Sequence, residues 1–265
     1  MKTTRLSLAL LVLVSLLAFH CAAASDPPAP GACSPVLVEL FTSEGCSSCP
    51  PADELLEKLD GTQPIPGAQV IVLSEHVDYW DHDGWKDAYS SKFFTDRQDD
   101  YVRRFRLNSS YTPQMVVDGA TQMNGSRVQS VAQAIEGASR HAKIPIRISS
   151  VSVANAKALR VHLEVEALPG DFKTRKAEIF VAVALDHAQS HVSGGENKGR
   201  DIRHVAVVES IDKVGTVEKG KNFDREVAVK VKSTADLANL RLIAFVQESD
   251  AGEVVGASLV SAAIH

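Results

Sequence analysis

Hydrophobic positions near the start of the chain form two apolar runs separated by a stretch of helical periodicity. Residues 36–41 are apolar except for Glu39, which predicts a buried strand, and residues 69–74 form a similar run. Between them, residues 52–59 repeat leucines on one helical face. A strand, a helix and a strand joined by short links predict a right-handed βαβ unit with parallel strands.

The pattern downstream of this unit predicts two more helices with a strand between them. Residues 95–107 predict a helix that opens with a threonine–glutamine capping box. Residues 111–119 predict a strand that a proline starts and an Asp-Gly turn ends, and residues 126–141 predict the second helix. Residues 76–91 have no clear period and are interpreted as a loop or a short helical excursion.

From residue 144 onwards, alternation with a period of two residues replaces the helical periods. Apolar and polar or charged side chains alternate along residues 159–165. Further strands are predicted near residues 177–186, 203–210, 225–232, 239–247 and 254–260. Several short strands with almost no helix predict an antiparallel β-sandwich, so the pattern changes character near residue 145.

The N-terminus has the pattern of a secretory signal peptide. Basic residues precede an apolar run, and small residues follow it, so we expect cleavage after Ala24. The predicted signal peptide covers residues 1–24, and a linker covers residues 25–34. A lipid-attached Cys21 is the alternative, but His20 is bulky where such sites take a small residue. We expect a periplasmic or secreted protein, in a compartment where disulfides persist.

Composition excludes several classes of partner. The 265 residues are 45% hydrophobic and carry a formal net charge of -5, with both signs of charge mixed along the chain. Because no basic block resembles a nucleic-acid footprint, no nucleic-acid partner is expected. No stretch after the signal peptide predicts a membrane span, and no cofactor is predicted.

Three cysteines remain after the predicted cleavage: Cys33, Cys46 and Cys49. A predicted strand separates Cys33 from the other two, and its six or seven residues span roughly 20 Å. That distance is too long for a disulfide, so we expect Cys46 to pair with Cys49. Three alternatives remain for Cys33: a free thiol, a disulfide to another molecule, or a simply buried side chain.

Cys46 and Cys49 form a Cys-x-x-Cys pair at a strand-to-helix junction. The thiolate is the reactive form in disulfide exchange, and a helix N-terminus favours negative charge. Cys46 is then the attacking nucleophile and Cys49 the resolving partner, with the helix starting at Pro50. The strand–dithiol–helix order predicts an α/β thioredoxin-like domain over residues 35–144, followed by an antiparallel β-sandwich domain over residues 145–265.

Other residues are predicted to lie around the dithiol. Thr112-Pro113 before a strand is typical of a cis-proline, which would expose backbone groups to an extended substrate. Glu39, in an otherwise apolar strand, could accept protons during exchange. The structural alternatives are a trans-Pro113 that merely starts a strand and a Glu39 that faces solvent.

The segment after the second predicted strand supplies the remaining candidates. Ligands collect at the carboxyl ends of the strands in α/β sheets, so His76 could assist proton transfer, while Asp78 and Trp80 could bind substrate. Hydrogen-bonded loop histidines and packed tryptophans are the alternatives for His76, His82 and Trp80.

Several long motifs resemble one known family. They are Leu40–Asp53 around the dithiol, His76–Asp81 with Gly84-Trp85, Tyr111–Gln114 through Gly119, and Gly195–Arg200 with His204 and Val207-Val208. On these motifs the chain is similar to a secreted bacterial family catalogued as domain of unknown function 1223. The resemblance covers nearly the whole mature chain and implies a thioredoxin-like fold with a β-rich C-terminal portion. It implies no particular activity.

Three functions are compatible with these residues. The first is a thiol–disulfide oxidoreductase, whose partner would be a protein or small-molecule thiol or disulfide. The second is a copper- or zinc-binding module that uses Cys46, Cys49 and His76. The third is a non-catalytic binding protein with a structural disulfide, whose ligand site would lie in the loop of residues 194–200 with His204.

Overall fold

The computed structural model of the protein describes residues 33–232 and 236–262. The predicted signal peptide and nearly all of the predicted linker lie outside these residues. Cys33, at the start of the described chain, is disulfide-bonded rather than a free thiol. Within this part of the chain, no helix is both long enough and apolar enough to cross a membrane.

The first half of the described chain contains the predicted βαβ unit, two further helices and a hairpin. The elements are β1 (Ser34–Thr42), α1 (Pro50–Thr62), β2 (Ala68–His76), α2 (Lys92–Phe105), β3 (Gln114–Val117), β4 (Thr121–Asn124) and α3 (Val128–Ala138). Strands β1 and β2 pair in parallel, which confirms the predicted unit. The Asp118-Gly119 turn joins β3 to β4, and both residues have the positive φ that such a turn requires.

Both later helices begin at positions other than those predicted. Helix α2 starts three residues earlier than predicted, because the Ser91 hydroxyl caps it by accepting the N–H of Phe93. The side chain of Gln98 donates to the carbonyl of Tyr111 instead of completing a capping box. Helix α3 starts later than predicted, because Ser126 is bound to Asn124 rather than to the helix.

The second half of the described chain is almost entirely strand, as its alternation predicts. The strands are β5 (Ile146–Asn155), β6 (Ala158–Val165), β7 (Lys176–His191), β8 (Asp201–Glu218), β9 (Phe223–Lys230), β10 (Leu240–Gln247) and β11 (Val254–Ser261). Strands β7 and β8 are 16 and 18 residues long, about twice the length of the others in this half. That length lets them take part in two different packing layers.

The predicted fold class is wrong at the level of sheet topology. Eight strands form one mixed sheet in the order β11-β10-β7-β8-β2-β1-β3-β4, and β5, β6 and β9 form a second sheet. The first sheet is continuous across both halves, because β8 lies beside β2 and the two strands join at Ser74 and Val207. The structure is therefore mostly β, without a thioredoxin-like α/β domain followed by a separate β-sandwich.

Two hydrophobic cores lie on the two faces of the long strands. On one face, Ala182, Ala184 and Phe245 pack with the apolar side chains of β1, β2, α1 and α3. On the other face, Val181, Val183 and the alternate residues of β10 pack against the three-stranded sheet. Strand β10 is buried along its whole length, since it contributes to both cores.

This arrangement brings three chain segments together at one edge of the large sheet. Strands β1 and β2 end there at Thr42 and His76, and β8 begins nearby at Asp201. The loop after β1 carries Cys46 and Cys49 to the start of α1. Residues from both halves of the sequence therefore meet around the cysteine pair.

Candidate functional site

Cys46 and Cys49 form a disulfide in the loop between β1 and α1. Their Cα atoms are 5.5 Å apart, and both side chains are fully buried. Ser47 and Ser48 between them are exposed. Cys49 is the N-cap residue of α1 and Pro50 its first helical residue, which is the predicted start of the helix.

The Thr112-Pro113 loop lies against this disulfide, and its peptide bond is cis, as predicted. The Ser48 hydroxyl lies between the two loops, 3.4 Å from Cys46 Sγ and 3.5 Å from the Thr112 carbonyl oxygen. Trp80 fixes the loop from the other side, because its indole N–H donates to Thr112 Oγ1 at 2.8 Å. A side chain at Gly45 would press on Trp80, since its Cβ would lie 3.0 Å from Trp80 Cβ.

A loop from the second half of the chain covers the backbone of the disulfide loop. We call residues 194–200, between β7 and β8, the strap. The Asn197 side chain donates to the carbonyls of Glu44 and Cys46, both at 2.9 Å, and is itself buried. The carboxylate of Glu196 accepts the N–H of Ser47 at 3.1 Å. These bonds hold the strap directly against the cysteine pair.

The strap also packs on the loop that follows β2. A Cβ at Gly194 would lie 2.3 Å from the carbonyl oxygen of Gly84, so this position has no room for a side chain. Gly195 has φ of 67°, and a Cβ there would lie 3.1 Å from Trp85 Cβ. The motifs around the dithiol, around Trp85 and in the strap are far apart in sequence, yet they meet at one site.

Buried polar side chains form a cluster behind the disulfide loop. His76 is fully buried, and its Nδ1 lies 2.6 Å from Asp87 Oδ2. The same carboxylate oxygen accepts the N–H of Glu44 at 2.9 Å. The indole N–H of Trp85 donates to Glu44 Oε2 at 2.8 Å. His76 is therefore linked to the disulfide loop through Asp87 and the backbone of Glu44.

His204 of β8 lies between two carboxylates of this cluster. Its Nε2 is 3.3 Å from Glu44 Oε1, and its Nδ1 is 3.9 Å from Asp53 Oδ1. Asp53 in turn accepts the hydroxyl of Thr42 at 2.9 Å. The His204 ring packs edge-on against His76, with their centroids 4.7 Å apart. Neither nitrogen of His204 makes a hydrogen bond within the part of the chain that the structure describes.

The carboxylates of the cluster differ in their ionisation. Burial raises the pKa of Asp53 to about 7, against the opposing effects of His204 and the Thr42 hydroxyl. Burial also acts to raise the pKa of Asp87, but His76 and two backbone N–H groups outweigh it and bring the value to about 2. The pKa of Glu44 is lowered, because His204 and Trp85 more than offset its burial.

Two residues predicted for the site are engaged elsewhere. Glu39 lies on the opposite face of β1 from Thr42, where it accepts hydrogen bonds from Arg97 and Tyr101 of α2. Its carboxylate is therefore paired on the face away from α1. Asp78 accepts the hydroxyl of Thr95 at the start of α2, so its side chain holds that helix to the loop.

Metal ligation by the cysteine pair is not supported. Across residues 33–232 and 236–262, no group of three or more His, Cys, Asp or Glu side chains is arranged to hold a metal ion. Cys46 and Cys49 are bonded to each other, and His76 is paired with Asp87.

Sequence reasoning missed three residues of the site, Ser48, Asp53 and Asn197, and it assigned His204 to a separate ligand site rather than to the dithiol. Asp53 had a usable signal, because it follows Cys49 by four residues and therefore lies on the same helical face. Asn197 and His204 had a weaker one, their place in a motif of the family resemblance. Nothing in that motif indicates that it folds back onto the dithiol.

The fold and the site define a class of protein: a mixed-sheet protein that holds a Cys-x-x-Cys disulfide between a strand and a helix, beside a cis-proline loop. The chain belongs to the family described as "Protein of unknown function (DUF1223)", whose model matches residues 37–247. Among curated proteins, none matches the chain.

Two solved structures resemble this one over most of its length. Protein AGR_C_4864 from Agrobacterium tumefaciens is 27% identical, with 87% of this chain and 96% of that chain covered and a TM-score of 0.66. HBP35 of Porphyromonas gingivalis is 15% identical, with 88% and 76% covered and a TM-score of 0.61. The second likeness shows a shared fold.

Proposed function

We propose that this protein is an exported thiol–disulfide oxidoreductase that uses the Cys46–Cys49 pair. The observation that carries the proposal is the contact between the disulfide loop and the Thr112-Pro113 loop, with the Ser48 hydroxyl between Cys46 Sγ and the Thr112 carbonyl. A structural bridge needs no such neighbour. An exchange site needs both a sulfur and backbone groups to hold a substrate beside it.

The chemistry follows from the oxidised state of the pair. A thiolate of a protein or small-molecule dithiol attacks Cys46 Sγ, the Cys46–Cys49 bond breaks, and Cys49 leaves with the electron pair and takes up a proton. The second thiolate of the substrate then attacks its own sulfur in the mixed disulfide and releases Cys46 as a thiolate. The substrate is oxidised and the pair is reduced; the reverse sequence reduces a substrate disulfide.

Substrate access to Cys46 requires a movement, because both sulfurs are buried in the oxidised protein. The exposed residues nearest to them are Ser47 and Ser48, and the strap binds the Ser47 N–H. Release of the strap frees this backbone edge of the loop. Exchange is therefore expected to be limited by opening of the strap.

A turnover assay tests the proposed activity. Purified protein is mixed with a model dithiol and, separately, with a model disulfide, and exchange is followed in the wild type, Cys46→Ser and Cys49→Ser. We expect both substitutions to abolish turnover and Cys49→Ser to trap a mixed disulfide at Cys46. Equal exchange in all three proteins would remove the proposal.

Export is the second part of the proposal, and it rests on the sequence of residues 1–24. The mature protein should be recovered outside the cytoplasm with an N-terminus at Ser25. Intact mass and N-terminal sequencing of the fractionated protein measure this. Full-length protein in the cytoplasmic fraction would contradict it.

A structural disulfide is the second candidate function, and the complete burial of Cys46 and Cys49 favours it. In that case the protein would bind a ligand without chemistry, and the bridge would only secure the loop. The reduction potential separates the two, because structural bridges generally lie below about -300 mV and exchange-active pairs above it. Equilibration with redox buffers measures the value directly.

A further inference from the structure

We propose that His204 of β8 is a proton-transfer residue that connects Asp53 to Glu44 behind the disulfide, so that the second half of the chain completes the redox site. This inference rests on the proposed function and assigns a role to residues that the exchange chemistry above leaves unnamed. It also gives the long strand β8 a function beyond packing.

The first step is the relation between Asp53 and Cys49. Asp53 donates its N–H to the carbonyl of Cys49, so the two residues are one helical turn apart at the start of α1. Side chains four residues apart lie on the same helix face, about 5–6 Å apart at their Cβ atoms. Both side chains are buried, and Asp53 is 5% exposed. Asp53 is therefore the carboxyl group positioned to exchange a proton with the sulfur of Cys49.

The second step is the position of His204. Each ring nitrogen faces a different carboxylate, Glu44 on one side and Asp53 on the other, and neither forms a hydrogen bond with correct geometry. A buried imidazole whose nitrogens lack a hydrogen-bond partner destabilises the fold, so packing alone does not explain it. An imidazole between two carboxylates can take a proton at one nitrogen and release one from the other.

The surroundings of His204 come from several elements, and their charges bear on its role. Asp53 is contributed by α1, Glu44 by the disulfide loop, His76 by β2, and Asp87 and Tyr89 by the loop after β2. Asp87 is paired with His76, so it holds that ring rather than His204. Asp53 and Glu44 are left as the two groups that can exchange protons with His204.

The proton balance is simple. When a substrate thiolate bonds to Cys46 Sγ, the Cys46–Cys49 bond breaks and its electron pair goes to Cys49 Sγ. Protonated Asp53 gives its proton to that sulfur, protonated His204 returns a proton to Asp53 through Nδ1, and the neutral His204 takes up a new proton from water when the strap opens. The 3.9 Å separation has to shorten by about 1 Å for direct transfer, as is common when a site closes on substrate. In the reverse direction the same groups remove the proton from Cys49.

The pH profile of exchange is the main test. We compare wild type, Asp53→Asn and His204→Gln, with His191→Gln as the matched control, since His191 is an exposed histidine of the same hairpin that pairs with Asp201 at the surface. We expect His204→Gln to slow exchange about tenfold and Asp53→Asn at least as much, within the range of general acid–base catalysis. We also expect Asp53→Asn to remove the inflection near neutral pH, where Asp53 titrates.

A merely structural role for His204 predicts a different result. It would lower stability and leave the shape of the profile unchanged, so thermal melts accompany each kinetic measurement. An unchanged inflection in a folded Asp53→Asn or His204→Gln variant would overturn the inference and leave the proposed oxidoreductase intact.

A second measurement keeps the inference testable if the wild type shows no exchange at all. The protein is reduced chemically, and the thiolate of Cys49 is titrated by its ultraviolet absorbance in Cys46→Ser, with and without Asp53→Asn. We expect the pKa of the Cys49 thiol to fall when Asp53 is replaced, because a neighbouring carboxylate opposes a second negative charge. An unchanged titration would show that Asp53 and Cys49 are not coupled and would end the inference.

Discussion

Buried carboxylates on the two faces of the β1–β2 pair have different partners. Near α1, Asp53 and Glu44 face His204, whereas near α2 the buried pair Glu39 and Glu75 shares Arg97. Arg97 binds Glu39 directly and lies 3.6 Å from Glu75, and neither oxygen of Glu75 has a hydrogen-bond partner in the described chain. Burial first, and then the charge of Glu39, raises the pKa of Glu75 well above its usual value, against the effect of Arg97.

Glu75→Gln tests this assignment through stability. A carboxyl group whose pKa is raised on folding favours the native state at low pH, and that contribution is lost as pH rises above its unfolded value of 4.5. We expect Glu75→Gln to be nearly neutral at pH 4 and to stabilise the protein by about 1–3 kcal/mol at pH 8. Urea unfolding at both pH values measures the difference.

The matched control is Glu39→Gln, which removes the partner of Arg97. Breaking a buried ion pair on one side costs about 3–5 kcal/mol, so this variant should be destabilised at neutral pH. Equal effects of the two substitutions at pH 8 would contradict the different roles assigned to the two carboxylates.

Ser48→Ala tests the contact between the two loops. The Ser48 hydroxyl lies 3.4 Å from Cys46 Sγ and can donate to the thiolate that forms on reduction. We expect its loss to raise the pKa of the Cys46 thiol and to slow exchange by roughly tenfold, near the lower end of the range for one hydrogen bond to a charged group. Alkylation of the reduced protein across pH measures the thiol directly, with Ser47→Ala as the control; equal rates for both variants would exclude the role of Ser48.

At the residue scale, what the sequence predicts correctly depends on distance along the chain. The Cys46–Cys49 pair and the helix start at Pro50 follow from neighbours within a few residues. The wrong placement of Glu39 at the dithiol has a physical reason: strand residues alternate between faces, and sequence alone does not show which face a later helix covers. Helix α1 covers the face of β1 that carries Thr42, and α2 covers the face that carries Glu39.

At the scale of elements, the strap is the feature with the clearest consequence for access. Its strand flanks, β7 and β8, are predictable from alternation, and its glycines indicate a turn. Its docking on the disulfide loop is not predictable, because it depends on β8 pairing with β2. Two hydrogen bonds donated by the side-chain amide of Asn197 hold it there.

Asn197→Ala should release the strap. The substitution removes both bonds to the Glu44 and Cys46 carbonyls, so we expect reduction of the disulfide by dithiothreitol to accelerate several-fold, at a cost of about 1–3 kcal/mol in stability. Lys198→Ala, an exposed neighbour in the same loop, is the control and should change neither. A slower or unchanged rate in Asn197→Ala would show that the strap does not limit access.

At the scale of the whole molecule, the error in fold class comes from strand partners rather than from strand positions. Every strand predicted in the second half exists, but β7 and β8 end five and eight residues later than predicted, and β5 has no predicted counterpart. Alternation shows which residues of a strand share a face, but strand order depends on long-range pairing. Strand β8 pairs with β2, and the β7–β8 hairpin also packs against the three-stranded sheet.

The continuous sheet predicts one cooperative unit. Native-state hydrogen exchange should give similar free energies of opening for the amides of Val72 in β2 and Val183 in β7, because both lie in the same eight-stranded sheet and its cores. Independent halves would instead open at clearly different free energies. Exchange measured over a range of denaturant concentrations distinguishes the two outcomes.

The positions of Trp80 and Trp85 have an optical consequence. They are the two tryptophans of the chain. The Trp80 indole donates a hydrogen bond to Thr112 beside the cysteines, and the Trp85 indole donates one to Glu44 in the disulfide loop. A disulfide in close contact quenches indole emission by accepting an electron from the excited ring. Reduction of the bridge should therefore brighten the intrinsic fluorescence, and the protein would report its own redox state in real time without a dye.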